Sequence, residues 1–105
     1  MFGWLKKHAD NLFGRAGTWP RVRREFLARN PSCAACGGKN NLEAHHIEPY
    51  RLAPEKELLE DNLIPLCGSP RNCHLMIGHG GDWMAYRPDV KRVAEVIRTS
   101  ELRRD

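Results

Sequence analysis

Long hydrophobic runs are missing from the sequence, and no fully apolar stretch among its 105 residues exceeds a few positions. A transmembrane helix needs about 20 mostly apolar residues, so we expect no membrane span. Aromatic residues make up only 8% of the chain, and neither an internal repeat nor a low-complexity segment is present. A chain of this length encloses one small core. The sequence therefore predicts a single domain that needs disulfides or a metal to stabilise it.

Features of a secretory signal are also missing. In residues 1–7 the charges follow the apolar residues, and neither a long apolar stretch nor a small-residue cleavage site follows. We therefore expect a reducing, cytoplasmic compartment, in which four cysteines are better explained as metal ligands than as disulfides. Residues 1–17 are predicted to be a short lead-in, and residues 18–105 to be the single domain.

Charge is distributed unevenly along the chain, although the total is only +4. Residues 1–32 carry seven Lys and Arg against two acidic residues, and residues 86–105 carry six against four. The centre, residues 33–85, carries four basic and seven acidic residues. Basic flanks around a slightly acidic centre suit a polyanion such as nucleic acid, and a solvated basic surface is the alternative.

Local signals predict an α+β arrangement. A first helix begins near Thr18, which can cap it, has Pro20 in its first turn, and ends before Asn30-Pro31. Two short strands are predicted at 42–48 and 62–67, with loop and a possible helical turn between them. A short helix is predicted over 72–77 and a last helix over 88–102. The last helix has an apolar stripe formed by Val90, Val93, Val96, Ile97 and Leu102.

The cysteines form two pairs, Cys33-x2-Cys36 and Cys67-x5-Cys73. Two pairs of thiolates, each on a turn, can close a tetrahedron around Zn²⁺, and four thiolates make a closed, structural site. The second spacer is longer than usual, but its glycine, serine and proline suit a turn. The alternatives are buried free cysteines or a disulfide.

Four histidines surround the same predicted unit. His45 and His46 lie near the end of the first predicted strand. His74 lies at the start of the predicted short helix, and His79 lies just after its end. A neutral imidazole can act as a general base, and several imidazoles can hold a divalent ion with open positions. Neighbouring strand side chains face opposite ways, so His45 and His46 share a site only if the strand twists or ends there.

The spacing of the last two histidines sets a second condition. On an ideal α-helix five residues advance about 500°, which leaves His74 and His79 about 140° apart. His79 joins the site only if Gly78 ends the helix and the chain turns back; otherwise it is a loop histidine.

In order, these motifs are Cys33-x2-Cys36, Glu43-Ala44-His45-His46-Ile47, Asn62-Leu63-Ile64-Pro65-Leu66-Cys67 and Cys73-His74. This set closely resembles the HNH endonucleases, over roughly residues 18–85. The resemblance implies a small ββα-metal (His-Me finger) core over about residues 33–81, with flanking helices and a structural zinc.

The resemblance also implies roles for individual residues. His45 and His74 match metal ligands, His46 matches the general base that activates water, and Asn62 matches the asparagine that holds the loop between the strands. Some relatives carry a further histidine about one turn after the last motif histidine, and His79 lies one residue out of step with it. The catalytic ion implied is Mg²⁺ or Mn²⁺, with Zn²⁺ or Ni²⁺ as further candidates, and the product would carry a 5′ phosphate.

DNA is the expected partner. Arg21 and Arg24 on the first helix, and Arg51 and Arg71 nearer the site, are candidates for phosphate contacts, with a solvated helix face as the alternative for the first pair. Trp83 and Tyr86 are interpreted as packing residues rather than base-stacking ones. We expect a monomer or weak dimer. A monomer with one site would nick DNA, whereas double-strand cuts would need a dimer or two events, and the lack of a long specificity domain predicts weak sequence preference. The competing hypotheses are a zinc-stabilised DNA-binding module without catalysis and a protein-interaction zinc module.

Overall fold

The structure is a computed structural model that describes residues 17–102. The predicted lead-in, apart from Gly17, lies outside the described residues. Two α-helices flank a two-stranded sheet and a short π-helical turn. In chain order these elements are α1 (Trp19–Arg29), β1 (Leu42–His46), β2 (Leu63–Cys67), the π turn (His74–Gly78) and α2 (Val90–Leu102). The predicted α+β class is confirmed.

Helix α1 begins one residue after the predicted start and ends before Asn30-Pro31, as predicted. Pro20 lies in its first turn, where a missing N–H is tolerated. Thr18 is the N-cap residue, as predicted, but its side chain makes no capping hydrogen bond. Its backbone, with φ −88° and ψ −2°, is not in the extended conformation typical of a side-chain cap. Phe26 is the buried residue of the helix. At the other end, the ring of Trp19 lies 4.4 Å from the ring of His46.

The strands β1 and β2 pair in antiparallel fashion, with Leu42 opposite Cys67 and His46 opposite Leu63. Strand β1 stops at His46, two residues earlier than the predicted end. In the connection between the strands, the chain forms two 3₁₀ turns, Pro54–Lys56 and Glu60–Asn62. The register aligns the end of β1, where the two histidines lie, with the start of β2.

The core lies between the sheet, the cysteine loops and α2. Its buried members are Cys33, Ala35, Ile64, Leu66, Cys67, Cys73, Val90 and Ala94. Within α2, Val90 and Ala94 are buried because they lie four residues apart on one face. Val96, predicted to belong to the same stripe, is 56% exposed because it lies two residues beyond Ala94, on another face. No helix within residues 17–102 is long and apolar enough to cross a bilayer.

Candidate metal centres and active site

All four cysteines belong to the described residues, and their sulfur atoms lie within 4.8 Å of one another. Cys33 and Cys36 come from the loop between α1 and β1, Cys67 ends β2, and Cys73 precedes the π turn. Cys36 Sγ lies 3.7 Å from Cys67 Sγ, and the cysteines form no disulfide. A five-residue loop, closed by the Asn72 amide donating to the Gly68 carbonyl at 2.7 Å, brings the second pair together. The cluster is compatible with Zn²⁺, as the spacing predicts.

The thiols of this cluster differ in acidity. Burial raises the pKa of Cys33, but hydrogen bonds from the backbone amides of Cys36, Cys67 and Ala35 outweigh burial and lower the pKa to about 7. Burial and the neighbouring sulfur groups raise the pKa of Cys73 far above its usual value. Once the first thiolate forms, its charge opposes ionisation of the other thiols. A bound Zn²⁺ would compensate the repulsion between the thiolates and so stabilise all four of them.

A second cluster consists of His45, His74 and His79. Their ring centroids lie 4.9, 4.7 and 5.0 Å apart, and one nitrogen of each ring lies within 4.8 Å of the others. His45 is buried, and the other two rings are half-buried. Within residues 17–102, no carboxylate belongs to this group. The structure thus brings together three of the four histidines in one donor set.

The π turn explains how His74 and His79 meet. Residues five apart are misaligned on an α-helix, but a π turn forms i→i+5 hydrogen bonds and so brings such residues toward one face. The turn spans His74–Gly78, and the backbone amide of His79 donates to the Leu75 carbonyl at 3.3 Å as the chain leaves it. The condition set by the sequence is met because the helix ends at Gly78. The predicted α-helical geometry, however, is wrong here.

Hydrogen-bond acceptors lie at Nδ1 of both His74 and His79. Glu43 Oε1 lies 2.8 Å from His74 Nδ1, and the Ala85 carbonyl oxygen lies 3.1 Å from His79 Nδ1. A carbonyl only accepts, so His79 carries its proton on Nδ1 and its lone pair on Nε2. Partners of this kind fix the tautomer of a metal-binding histidine. Sequence reasoning missed Glu43, although its position two residues before His45 places both side chains on one face of β1.

His45 is held close to Gly78. A Cβ atom on Gly78 would lie 3.2 Å from both Cε1 and Nδ1 of His45, so only glycine leaves the ring its full space. Burial, reinforced by the charges that His74, His79 and His46 would carry, lowers the pKa of His45 to about 3. Burial also lowers the pKa of His74, although Glu43 opposes this shift. Both shifts favour the neutral form of the ring, which can donate a lone pair to a metal.

His46 lies on the other side of the strand end. Its Nε2 atom lies 2.9 Å from the backbone carbonyl oxygen of Glu57, and its ring packs beside Trp19. Because the carbonyl accepts, Nε2 carries the proton and the lone pair of the neutral ring is on Nδ1. All four histidines nevertheless line one cleft of about 270 Å³, together with Ala44, Pro49, Tyr50 and Trp83. The strand ends at His46, as a shared site requires.

Asn62 ties the loop that follows β1. Its Oδ1 accepts the Glu48 amide at 2.8 Å, and its Nδ2 donates to the carbonyls of Glu48 at 3.1 Å and Lys56 at 3.2 Å. The side chain is buried. The amide therefore connects the start of β2 to two points of the loop beside His46.

Residues 33–80 match the family model of the HNH endonucleases. This segment holds both cysteine pairs, both strands and the four predicted site histidines, and it is similar to an HNH endonuclease domain. No curated protein and no solved structure matches the chain. The recognised resemblance and the fold class are thereby confirmed, and the two-stranded sheet and clustered cysteines are consistent with the HNH fold. An HNH domain indicates a nuclease or DNA-binding function, and HNH proteins use metal ions.

The four predicted DNA-contacting arginines are distributed around the HNH domain. Arg21 and Arg24 are exposed on α1, and Arg71 is exposed in the loop between the last two cysteines. Arg51 is brought to the cleft loop, where its Nη2 donates to the Met84 carbonyl at 3.0 Å. Arg51 therefore braces the backbone in addition to any contact that it makes with phosphate.

The two donor sets suit different metal ions. Four clustered thiols suit zinc, while three imidazoles suit Zn²⁺, Ni²⁺ and similar first-row ions better than Mg²⁺, which prefers oxygen ligands. The histidine set also supplies fewer ligands than a closed structural site, which is the arrangement of a catalytic centre. The domain can thus hold one ion for structure and one beside His46.

Proposed function

We propose that the chain is a metal-dependent endonuclease that hydrolyses DNA phosphodiester bonds. One observation carries this proposal: His46 opens onto the same 270 Å³ cleft as the three-histidine cluster. A module that only binds DNA needs the cysteine cluster for folding but has no use for a neutral base beside an imidazole donor set. Hydrolysis needs both, because water must be activated and phosphate charge must be stabilised.

His46 is the general base in this proposal. Donation from Nε2 to the Glu57 carbonyl fixes the tautomer, so Nδ1 takes the proton from the attacking water. Asn62 positions the base indirectly, since it fixes the loop that begins directly after β1. Trp19 packs beside the ring and limits its movement.

His45, His74 and His79 would hold the catalytic ion. A divalent ion bound there supplies positive charge that neutralises the scissile phosphate and stabilises the leaving 3′ oxygen. Glu43 and the Ala85 carbonyl keep His74 and His79 oriented toward the cluster. The all-imidazole donor set favours Zn²⁺ or Ni²⁺ over the Mg²⁺ and Mn²⁺ implied by the resemblance, although a weakly held Mg²⁺ or Mn²⁺ would supply the same charge. The product would carry a 5′ phosphate.

Cys33, Cys36, Cys67 and Cys73 would hold Zn²⁺ as a structural ion. The two pairs join the loop before β1 to the end of β2, so the ion would fix both strands relative to the π turn. In a chain with so small a core, metal binding then contributes directly to the free energy of folding.

DNA would be held by Arg21, Arg24, Arg51 and Arg71. Helix α1 presents the first two, and the contact between Trp19 and His46 places the start of that helix beside the base. Phosphate contacts of this kind carry no sequence information and weaken as salt rises. We therefore infer weak sequence preference. A monomer has a single site and would nick one strand per event.

A supercoiled-plasmid assay tests the proposal. Purified zinc-loaded protein is incubated with plasmid in Mg²⁺, Mn²⁺, Ni²⁺ or added Zn²⁺, and with EDTA, beside His46→Ala. We expect metal-dependent conversion to the nicked form, and a loss of about 10²–10⁴-fold in His46→Ala. DNA affinity and metal binding should remain in that variant, because His46 belongs to neither interaction.

The control is the surface variant Glu95→Ala on α2, whose side chain is exposed and lies outside the cleft. It should nick at the wild-type rate. If no metal supports nicking while salt-sensitive DNA binding persists, the protein is a zinc-stabilised DNA-binding module. If His46→Ala nicks at a near-normal rate, another group is the base.

A further inference from the structure

Trp83 is an exposed aromatic residue at the edge of the cleft. Its ring centroid lies 5.2 Å from that of His74 and 5.1 Å from that of His79, so one side of the indole packs on two members of the histidine cluster. The residue is nevertheless 53% exposed. The sequence-based interpretation of Trp83 as a packing residue describes only the side that touches the histidines.

The loop that presents Trp83 is held from several sides. Asp82 accepts the backbone amide of Met84 at 3.0 Å through Oδ1 and that of Ala85 at 2.8 Å through its carbonyl. The Met84 carbonyl accepts from Arg51, and the Ala85 carbonyl accepts from His79. These bonds fix both residues that follow Trp83. A ligand that meets the indole therefore has little loop entropy to overcome.

The chemistry of the indole limits what it can bind here. It carries no charge, so its attraction for phosphate is limited to one N–H donor, and the greater part of the side chain is aromatic surface. Trp83 lines the same cleft of about 270 Å³ as the three histidines. When a phosphate lies at the histidines, the base of an adjoining nucleotide is the flat, apolar group within reach. Stacking on aromatic side chains is tolerant of sequence, because every base has a π face.

We propose that the exposed face of Trp83 is a stacking platform for a nucleobase next to the phosphate being cut, a proposal that rests on the nuclease function above. Bases in a regular duplex already stack on each other. The platform therefore favours DNA in which a base can leave the stack, so that single strands bind more tightly through Trp83 than duplex does.

The test measures binding rather than cleavage. Two fluorescent 12-nucleotide strands of equal charge, one of thymidines and one of abasic residues, are titrated with wild type, Trp83→Phe and Trp83→Leu, without added catalytic metal. Removal of a stacking aromatic costs about 1–3 kcal/mol per base, which is about 5- to 150-fold in affinity. We expect Trp83→Leu to lose affinity in this range for the thymidine strand and less than about twofold for the abasic strand. Trp83→Phe should keep most of the affinity.

A duplex of the thymidine strand serves as a second substrate, on which the loss in Trp83→Leu should be smaller. Leu59→Ala is the matched control, because Leu59 is equally exposed at 53% but lies outside the cleft lining. Zinc content and metal affinity of the histidine cluster, measured by calorimetry, report whether each variant keeps its site.

Two results would overturn the proposal. Equal losses on the thymidine and abasic strands would mean that Trp83 acts through the phosphate-binding site, and no loss on either would mean that it does not contact DNA. Neither result depends on catalysis. A protein that shows the thymidine-specific loss but never nicks plasmid would keep the platform and lose the nuclease function.

Discussion

Asn62 bonds both backbone groups of Glu48, accepting its amide at 2.8 Å and donating to its carbonyl at 3.1 Å. Replacement by Asp keeps the acceptor but removes the two donors, leaving the Glu48 and Lys56 carbonyls without this partner. We expect the free energy of unfolding, measured with urea, to fall by about 1–3 kcal/mol. The plasmid-nicking rate should fall further than DNA affinity, because the loop beside His46 loosens. Equal stability and rate in Asn62→Asp would remove the positioning role.

Glu43 lies behind His74, with 2.8 Å between Oε1 and Nδ1. Loss of such a partner typically costs 10- to 100-fold in metal affinity, and we expect a loss of about that size in Glu43→Ala. Glu43→Gln keeps a polar group within reach and should lose less. The measurement is calorimetric titration of Ni²⁺ into zinc-loaded protein, with Glu95→Ala as the control. A Glu43→Ala protein with wild-type affinity would show that the contact does not orient the ligand.

Gly78 leaves space for His45, since an added Cβ would lie 3.1 Å from Leu66 Cδ1 and 3.2 Å from the imidazole. Gly78→Ala should therefore displace the ring and weaken Ni²⁺ binding at the histidine cluster. Gly81 supplies the comparison: its φ is +88°, and a Cβ there would meet nothing within 4 Å. Gly81→Ala should cost about 1 kcal/mol in unfolding free energy through backbone strain, yet bind Ni²⁺ normally. Identical metal affinities in the two variants would contradict this account.

His45 makes stability depend on pH. Its pKa falls from 6.5 in the unfolded chain to about 3 in the folded one, so only the unfolded chain binds a proton between these values. The contribution of a neutral His45 is fully present above pH 6.5 and declines as pH falls toward 3, by about 2 kcal/mol at pH 5. Urea unfolding at pH 7.5 and 5.0 without catalytic metal should show this loss in wild type. In His45→Gln the decrease in unfolding free energy between pH 7.5 and 5.0 should be smaller by about 2 kcal/mol. The same pH dependence in both proteins would contradict this role of His45.

Cys36 tests the zinc centre. Cys36→Ser removes a thiolate from the cluster, and because metal binding contributes to folding, we expect loss of zinc and of the folded state. Metal analysis and circular dichroism measure both. A soluble, folded and active Cys36→Ser protein would exclude a structural role for the cysteine cluster.

The strands and the cysteine pairs could be predicted because their signals are local. Asn30-Pro31 ends a helix through steric effects, and a Cys-x2-Cys pair places two sulfurs on one turn whatever surrounds it. The alternation of side chains along a strand also predicted correctly that His45 and His46 lie on opposite sides of β1. It is resolved by the end of the strand at His46, where one cleft reaches both.

Other parts of the site depend on contacts between distant residues. The bond between Glu43 and His74 joins positions 31 residues apart, and only the alternation along β1 hinted that Glu43 shares a face with His45. The hydrogen bond from Arg51 to Met84, next to Trp83, joins positions 33 residues apart, which no local pattern encodes. The lead-in and domain boundary at residue 17 remain predictions.

The π turn has a consequence for recognising proteins of this type. A wider turn accommodates one more residue between two ligands while keeping their nitrogens together, so a spacing of five does here what a spacing of four does on a regular helix. A search pattern written for His-x3-His would score this chain as lacking its last ligand. Deleting one residue from the turn and restoring α-helical hydrogen bonds would bring His74 and His79 into that standard spacing. The number of histidines that can bind one ion therefore depends on the type of helix between them as well as on the residues present.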